Sequence, residues 1–194
     1  MICIIDAFLA VPRDLFVLGD FAESAYLDIA LPIVGGSTIS QPTTVAMMLE
    51  ALEPKSGEKV LEIGTGSGWQ ACLLSRCVGR KGSVVTIEIN QGVADFAKSN
   101  IGKIKPSKVK TVVGDGSAGY PKEAPYNKII YTAAAPSIPQ EVISQLAVGG
   151  RLVAPVGSLT MQIMKIVDRA SEKKVNEREI GTFQFVPLQG KRGF

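Results

Sequence analysis

The stretch Val60-Leu61-Glu62-Ile63-Gly64-Thr65-Gly66-Ser67-Gly68-Trp69 constrains the fold more than any other part of the chain. Lys59 to Ile63 reads as a buried strand that runs straight into a glycine-rich turn. A helix follows from about Gly68, with Ala71, Leu73, Leu74 and Val78 on its apolar side. Strand, glycine turn and helix together present backbone N–H groups and a helix N-terminus to a nucleotide-like ligand at the edge of a parallel sheet. The spacing narrows the choice of ligand. A dinucleotide site of the form G-x-G-x-x-G wants glycine or alanine where Trp69 stands, and a P-loop wants a lysine followed by Ser or Thr, which is absent. What remains is E-x-G-x-G-x-G, with Glu62 two places before the first glycine.

Around this centre, β and α patterns alternate. Ile4 to Leu9 reads as the end of a helix stopped by Pro12, and Asp14 to Phe21 as irregular chain anchored by Leu15, Phe16 and Phe21. Gly35 to Ser40 reads as a flexible polar loop. Pro42 suits the first turn of a helix bearing Val45, Met48, Leu49 and Leu52. Further strands are expected at Ser83–Glu88, Val109–Val113, Lys128–Thr132 and Arg151–Val156, with helices over Val93–Ile104 and Pro139–Ala147 between them. Met161–Arg169 and Arg178–Leu188 alternate like strands with no helix between, so an antiparallel pair is expected at the sheet edge. The fold class is therefore α/β: a doubly wound, Rossmann-like three-layer α/β/α sandwich, its sheet mostly parallel with an antiparallel C-terminal edge. At 194 residues, one domain is expected over residues 1–194. Its parts are a helical and loop segment (1–53), a ligand-binding core (54–157), and a strand pair with tail (158–194).

Composition removes several chemistries. The chain holds no histidine, which excludes an imidazole base and His–metal ligation. Cys3, Cys72 and Cys77 form no C-x-x-C and read as structural thiols in a reducing cytoplasm, with no metal. A net charge of +3, spread along the chain, gives no nucleic-acid footprint. The apolar start lacks a basic n-region, and no segment is long enough to span a bilayer, so no membrane association is expected.

In open sheets of this kind ligands bind beyond the carboxyl ends of the strands, and three strands end in acids: Glu62, Glu88 and Asp115. Glu88, 20 positions past Gly68, is placed to accept the ribose hydroxyls of an adenosine. Asp115-Gly116 can receive the adenine amino group. Glu62 puts negative charge beside the glycine turn, which suits an ammonium or a sulfonium and repels a diphosphate. Each acid alone could be a solvated strand end. Together they point to S-adenosylmethionine, with S-adenosylhomocysteine as product, held by Glu62, Gly64, Thr65, Gly66, Gly68, Glu88, Ile89, Asp115 and Gly116.

The acceptor needs a separate argument. After the fourth strand the run Tyr131-Thr132-Ala133-Ala134-Ala135-Pro136 lacks the Asn/Asp-Pro-Pro-aromatic pattern of nucleic-acid amino methyltransferases. A neutral nucleophile would need a base. An ionised carboxylate needs only to be held in line with the methyl, so most of the acceleration would be positional, about 7–11 kcal/mol at most. Thr38 and Ser40, with their amides, could orient it. Ser40 could equally serve as the N-cap of the helix starting near Pro42.

At these residues the sequence resembles the protein-L-isoaspartate O-methyltransferases over nearly its whole length. The resemblance is carried by Val11 to Val17, Ala25 to Asp28, Leu31-Pro32-Ile33, Thr38-Ile39-Ser40, Val60 to Gly68, Val113 to Gly116, Ala133 to Pro136, Gly149 to Val153 and Phe185-Val186-Pro187-Leu188. It implies a repair enzyme that esterifies the α-carboxyl of isoaspartyl residues in damaged or unfolded proteins. It implies Ser40 and Thr38 at the active centre, and Ile39, Ser40, Val186, Pro187 and Leu188 against the substrate. A monomer is expected. The alternatives are a methyltransferase of the same superfamily acting on a small molecule or RNA, or an inactive relative that keeps the cofactor. The chain departs from the family at Thr43, where a histidine is usual, in the few residues before Val11-Pro12-Arg13, and in a short tail after Leu188.

Overall fold

In the computed structural model, which describes residues 2–194, the chain opens with α1 (Ile2–Ala10) and two short 3-10 turns, Arg13–Phe16 and Gly19–Ser24. The loop expected to be flexible is a small antiparallel ribbon instead. In it β1 (Leu31–Pro32) pairs with β2 (Thr38–Ile39) across a turn at Val34–Gly36. Gly35 and Gly36 take φ values of 69° and 71°, which lets the ribbon close so tightly. Leu31 and Ile39, opposite each other, are buried and fix the register. Next comes α2 (Pro42–Leu52), with Pro42 in its first turn and Val45, Met48, Leu49 and Leu52 buried.

The main sheet follows. β3 (Lys59–Ile63) leads into α3 (Trp69–Val78), β4 (Ser83–Glu88), α4 (Gln91–Ile104) and β5 (Val109–Val113). The chain then returns to the other side of β3 as β6 (Tyr126–Tyr131), and passes through the one-turn α5 (Gln140–Ile143) to β7 (Leu146–Gly157). β8 (Gln162–Arg169) and β9 (Val175–Phe183) complete it antiparallel. The order is β5-β4-β3-β6-β7-β8-β9, and β5 through β7 are mutually parallel. The order reverses at β3, so the crevice beyond β3 and β6 is the place for a ligand.

Alternation along the strands divides the core. Val60, Val84 and Ile130 face α1 to α4, while Leu61, Val85 and Ile129 face the opposite side. That second side is covered thinly, by Val142 of α5, by Tyr120 and Ile138, and by Val186 and Leu188. Exposed Asn176, Glu177, Arg178 and Glu179 protect the edge strand β9 from further pairing.

Three of the remaining differences from expectation have a local reason. α4 starts two residues early because the Asn90 side chain accepts from Gly92 and Val93 N–H as an N-cap. The helix expected over 139–147 stops at Ile143. Gln145 instead accepts from Tyr120 N–H at 2.7 Å and donates to Ala118 O at 2.8 Å, and Leu146 already pairs with Tyr126 in the sheet. The strand expected to reach Leu188 ends at Phe183, opposite Gln162, where β8 begins and the partner runs out. Beyond it, Val186 O accepts from Ala134 N–H and Leu188 N–H donates to Ala134 O, so the chain crosses the end of β6. Pro187, which has no N–H to give, sits between those two bonds. No described helix is long and apolar enough to cross a membrane.

Candidate active site

The glycine turn after β3 is built from backbone that other residues would resist. Gly64, Gly66 and Gly68 have φ of 97°, 54° and 85°. A Cβ on Gly68 would meet Ile101 Cγ1 at 2.9 Å and Ala97 O at 3.2 Å, so this glycine lets α3 approach α4. Trp69, which follows, does not crowd the strand. Its indole points toward the N-terminal segment, where Nε1 donates to Val11 O at 3.0 Å and the ring meets Phe8 edge-on at 5.3 Å.

Glu88 fastens the turn to β4. One carboxylate oxygen accepts from Gly66 N–H at 3.1 Å and the other from Asn90 N–H at 3.1 Å. Each oxygen keeps a lone pair for a ligand hydroxyl. Glu62 is wholly buried. Its Oε2 accepts from the Thr86 hydroxyl at 2.6 Å, Thr86 in turn lies 2.7 Å from the Thr65 hydroxyl, and Oε1 has no partner. Burial pushes the Glu62 carboxyl up to about 8, opposed by the Thr86 hydrogen bond and reinforced by Glu88. The fixed negative charge expected from the sequence is therefore a protonated acid at neutral pH until a cation comes beside it. A carboxyl inside a strand expected to be buried was the available signal.

These groups open onto a cleft that is partly open to solvent. Thr38, Ile39, Ser40, Glu62, Gly64, Thr65, Gly66, Glu88, Ile89, Gly116, Val186, Pro187 and Leu188 all line it. Gly68 does not, and serves instead as the packing residue at the start of α3. Asp115 does not either. Its Oδ1 accepts from Ser117 N–H at 2.8 Å and its Oδ2 from Lys191 N–H at 2.9 Å, so the carboxylate faces its own turn and the C-terminal tail. These bonds hold it below the usual carboxylate range against a partial desolvation that acts the other way.

Sequence reasoning missed Gln70 and Thr132. Gln70 is buried on the first turn of α3, lines the cleft, and its Nε2 has no partner. A polar residue buried on a helix that follows a glycine turn was the available signal. Thr132 donates to Ile63 O at 3.0 Å and also bonds Gly64 O, locking the turn to β6.

Two buried polar atoms without hydrogen-bond partners, Glu62 Oε1 and Gln70 Nε2, belong to residues that line a cleft walled by two acids and by no lysine or arginine. An acceptor for an ammonium, a donor for a carboxylate and an acidic wall fit the methionine end of S-adenosylmethionine. They do not fit a diphosphate. Among the described residues no cluster of His, Cys, Asp and Glu could hold a metal ion.

The Thr38–Ser40 loop borders this cleft directly, since a Cβ on Gly66 would lie 3.8 Å from Thr38 O. Ser40 does not cap α2. The N-cap is Gln41, whose side chain makes no capping bond, and Asp28 reaches in from the preceding segment to accept from Thr43 N–H at 2.9 Å, Thr43 Oγ1 at 2.8 Å and Gln41 Nε2 at 2.9 Å. Chiefly through the Thr43 amide, these bonds hold Asp28 below the usual carboxylate range. Thr43, where the resembling family usually has histidine, is therefore committed to Asp28. The Ser40 hydroxyl forms no hydrogen bond with any described residue.

Comparison with known proteins agrees with this geometry. A family model described as protein-L-isoaspartate(D-aspartate) O-methyltransferase matches residues 3–193. The protein-L-isoaspartate O-methyltransferase of Methanopyrus kandleri is 45% identical over 97% of this chain and 84% of its own length. A solved protein-L-isoaspartate O-methyltransferase superposes with a TM-score of 0.90 at 32% identity over 98% of this chain, which spans 62% of that longer one. A Plasmodium falciparum protein crystallised with S-adenosyl-L-homocysteine gives a TM-score of 0.85 at 21% identity, over 96% of this chain and 90% of that one; at such identity the likeness speaks for the fold. The chain belongs to the protein-L-isoaspartate(D-aspartate) O-methyltransferase family.

Proposed function

We propose that the chain transfers a methyl group from S-adenosylmethionine to the α-carboxylate of L-isoaspartyl residues in damaged or unfolded proteins and peptides. The observation that carries this reading is one cleft shared by the acidic glycine turn and the Thr38–Ser40 loop, with no histidine in it. S-adenosylmethionine, when bound, supplies an activated methyl carbon whose bond to sulfur breaks with the electron pair staying on sulfur. Glu88 receives the ribose hydroxyls, Glu62 the positive charge, and Gln70 the methionine carboxylate. Gly64, Thr65 and Gly66 shape the turn, with Ile89 and Gly116 alongside it. Asp115 supports the same end through its own turn. On the acceptor side, Thr38 and Ser40 orient the incoming carboxylate, and Ile39, Val186, Pro187 and Leu188 exclude water around it. The carboxylate arrives ionised, so no residue of the chain has to move a proton. The ester then loses methanol as the neighbouring amide nitrogen closes a succinimide, which reopens partly to normal aspartate.

In this reading the chain acts as a cytoplasmic monomer. Residues 1–53 serve the substrate side, 54–157 hold the cofactor, and 158–194 close the sheet. The test is to follow labelled methyl from S-adenosylmethionine into an isoaspartyl peptide and then apply mild alkali. Release of the label as methanol supports a carboxyl ester. Label that survives alkali, or that enters RNA or a small molecule while the peptide stays blank, replaces this function with another.

A further inference from the structure

Arg13 is a 2% exposed arginine whose hydrogen-bond acceptors are all backbone carbonyls. Nη1 donates to Ala25 O at 2.5 Å and Leu27 O at 3.5 Å, and Nη2 donates to Ile29 O at 2.9 Å, Ile39 O at 3.5 Å and Ser40 O at 3.0 Å. Its guanidinium also lies 5.5 Å from the centre of the Trp69 ring, at the first residue after the glycine turn. One buried side chain therefore holds the backbone of the acceptor loop and lies over the ring of the residue that follows the donor turn.

The direction of those carbonyls matters for a carboxylate. In a trans peptide the N–H points opposite to the C=O. Drawing Ile39 O and Ser40 O onto Arg13 turns the N–H groups of Ser40 and Gln41 away from it. A loop that received a carboxylate with its carbonyl lone pairs forward would repel it. With those two carbonyls taken up, the Ser40 and Gln41 N–H groups and the Thr38 and Ser40 hydroxyls are donors the loop can offer.

We propose that Arg13 is a positioning residue for the methyl-accepting carboxylate, holding the Ile39 and Ser40 carbonyls inward so that the Ser40 and Gln41 N–H groups are turned toward the substrate. This rests on the reading of Thr38–Ser40 as the acceptor loop. Planarity matters to it: a lysine keeps the charge but cannot reach both carbonyl sets with a rigid fork.

The test compares the wild type, Arg13→Lys, Ser40→Ala and the double variant. For Arg13→Lys, S-adenosylhomocysteine should bind within about twofold of wild type, while KM for an isoaspartyl peptide rises by about tenfold or more. Ser40→Ala should then cost much less in the Arg13→Lys background than alone, because the two act on one carboxylate. Unchanged kinetics, additive losses, or cofactor affinity and melting temperature falling in step with activity would each overturn the proposal. A second measurement needs no variant at Arg13. In the wild-type protein bound to S-adenosylhomocysteine, hydrogen exchange of the Ser40 and Gln41 amides should slow by about tenfold with the isoaspartyl peptide and not with its aspartyl match. Exchange that ignores both peptides also overturns it. If the wild type methylates no isoaspartyl peptide, the functional reading falls; if it does while these outcomes fail, only the role of Arg13 is lost.

Discussion

Replacing Glu62 with glutamine keeps the shape of a wholly buried side chain and its bond from Thr86, and removes its ionisation. The carboxyl, ordinarily near 4.5, sits at about 8 in the folded chain because burial disfavours its charge. Between those values the folded state holds a proton that the unfolded state has lost. Stability from this group is therefore full below the unfolded value and falls as pH rises toward 8. At 1.36 kcal/mol per pH unit the whole interval amounts to at most about 5 kcal/mol, less wherever water from the cleft reaches the carboxyl. Without ligand, Glu62→Gln should match wild type near pH 5 to within about 1 kcal/mol and be more stable by a few kcal/mol at pH 8. Urea denaturation at several pH values reads this directly. A cationic ligand should reverse the preference, because its charge pulls the Glu62 proton off. S-adenosylmethionine should thus bind more tightly to wild type as pH rises toward 8, with a proton released to the buffer. Parallel stability curves for wild type and variant, together with buffer-independent binding heats, would refute the burial argument.

Two other outcomes follow from the cleft. Glu88→Ala should weaken S-adenosylmethionine binding by about 1–3 kcal/mol, since ribose hydroxyls would lose a buried acceptor and Gly66 its tether; unaltered affinity by calorimetry would place Glu88 outside the cofactor contact. If Ser40 orients the acceptor, as proposed, Ser40→Ala should lower turnover more than cofactor affinity, since Ser40 lines the cleft and caps nothing; steady-state rates equal to wild type would remove Ser40 from the reaction.

The parts of the molecule legible in the sequence are those set by short-range periodicity. Lys59–Ile63, Ser83–Glu88 and Val109–Val113 are strands at the expected residues, because apolar runs ending at glycine or at an acid leave little choice. Acids at the ends of parallel strands then fall near one crevice by topology alone. What escaped depends on partners far away in the chain. The Gly35–Ser40 loop looked free because nothing near it in sequence reveals that Arg13, 27 residues from Ser40, pins its carbonyls. The helix start near Pro42 looked like a task for Ser40, yet Asp28 takes the Thr43 amide. Asp115 looked turned toward the ligand, but the tail backbone at Lys191 claims one of its oxygens. Glu62 was legible as an acid at a turn, whereas its protonation depends on packing from β4 and α3 that only the folded chain supplies.

The central claim is that a carboxylate in isoaspartyl linkage is the methyl acceptor. It is tested most directly by initial rates of methyl transfer, at saturating S-adenosylmethionine, to two peptides that differ only in whether one residue is L-isoaspartate or L-aspartate. The account predicts transfer to the isoaspartyl peptide and none above background to its match. Equal rates on both peptides, or transfer to neither, would contradict it.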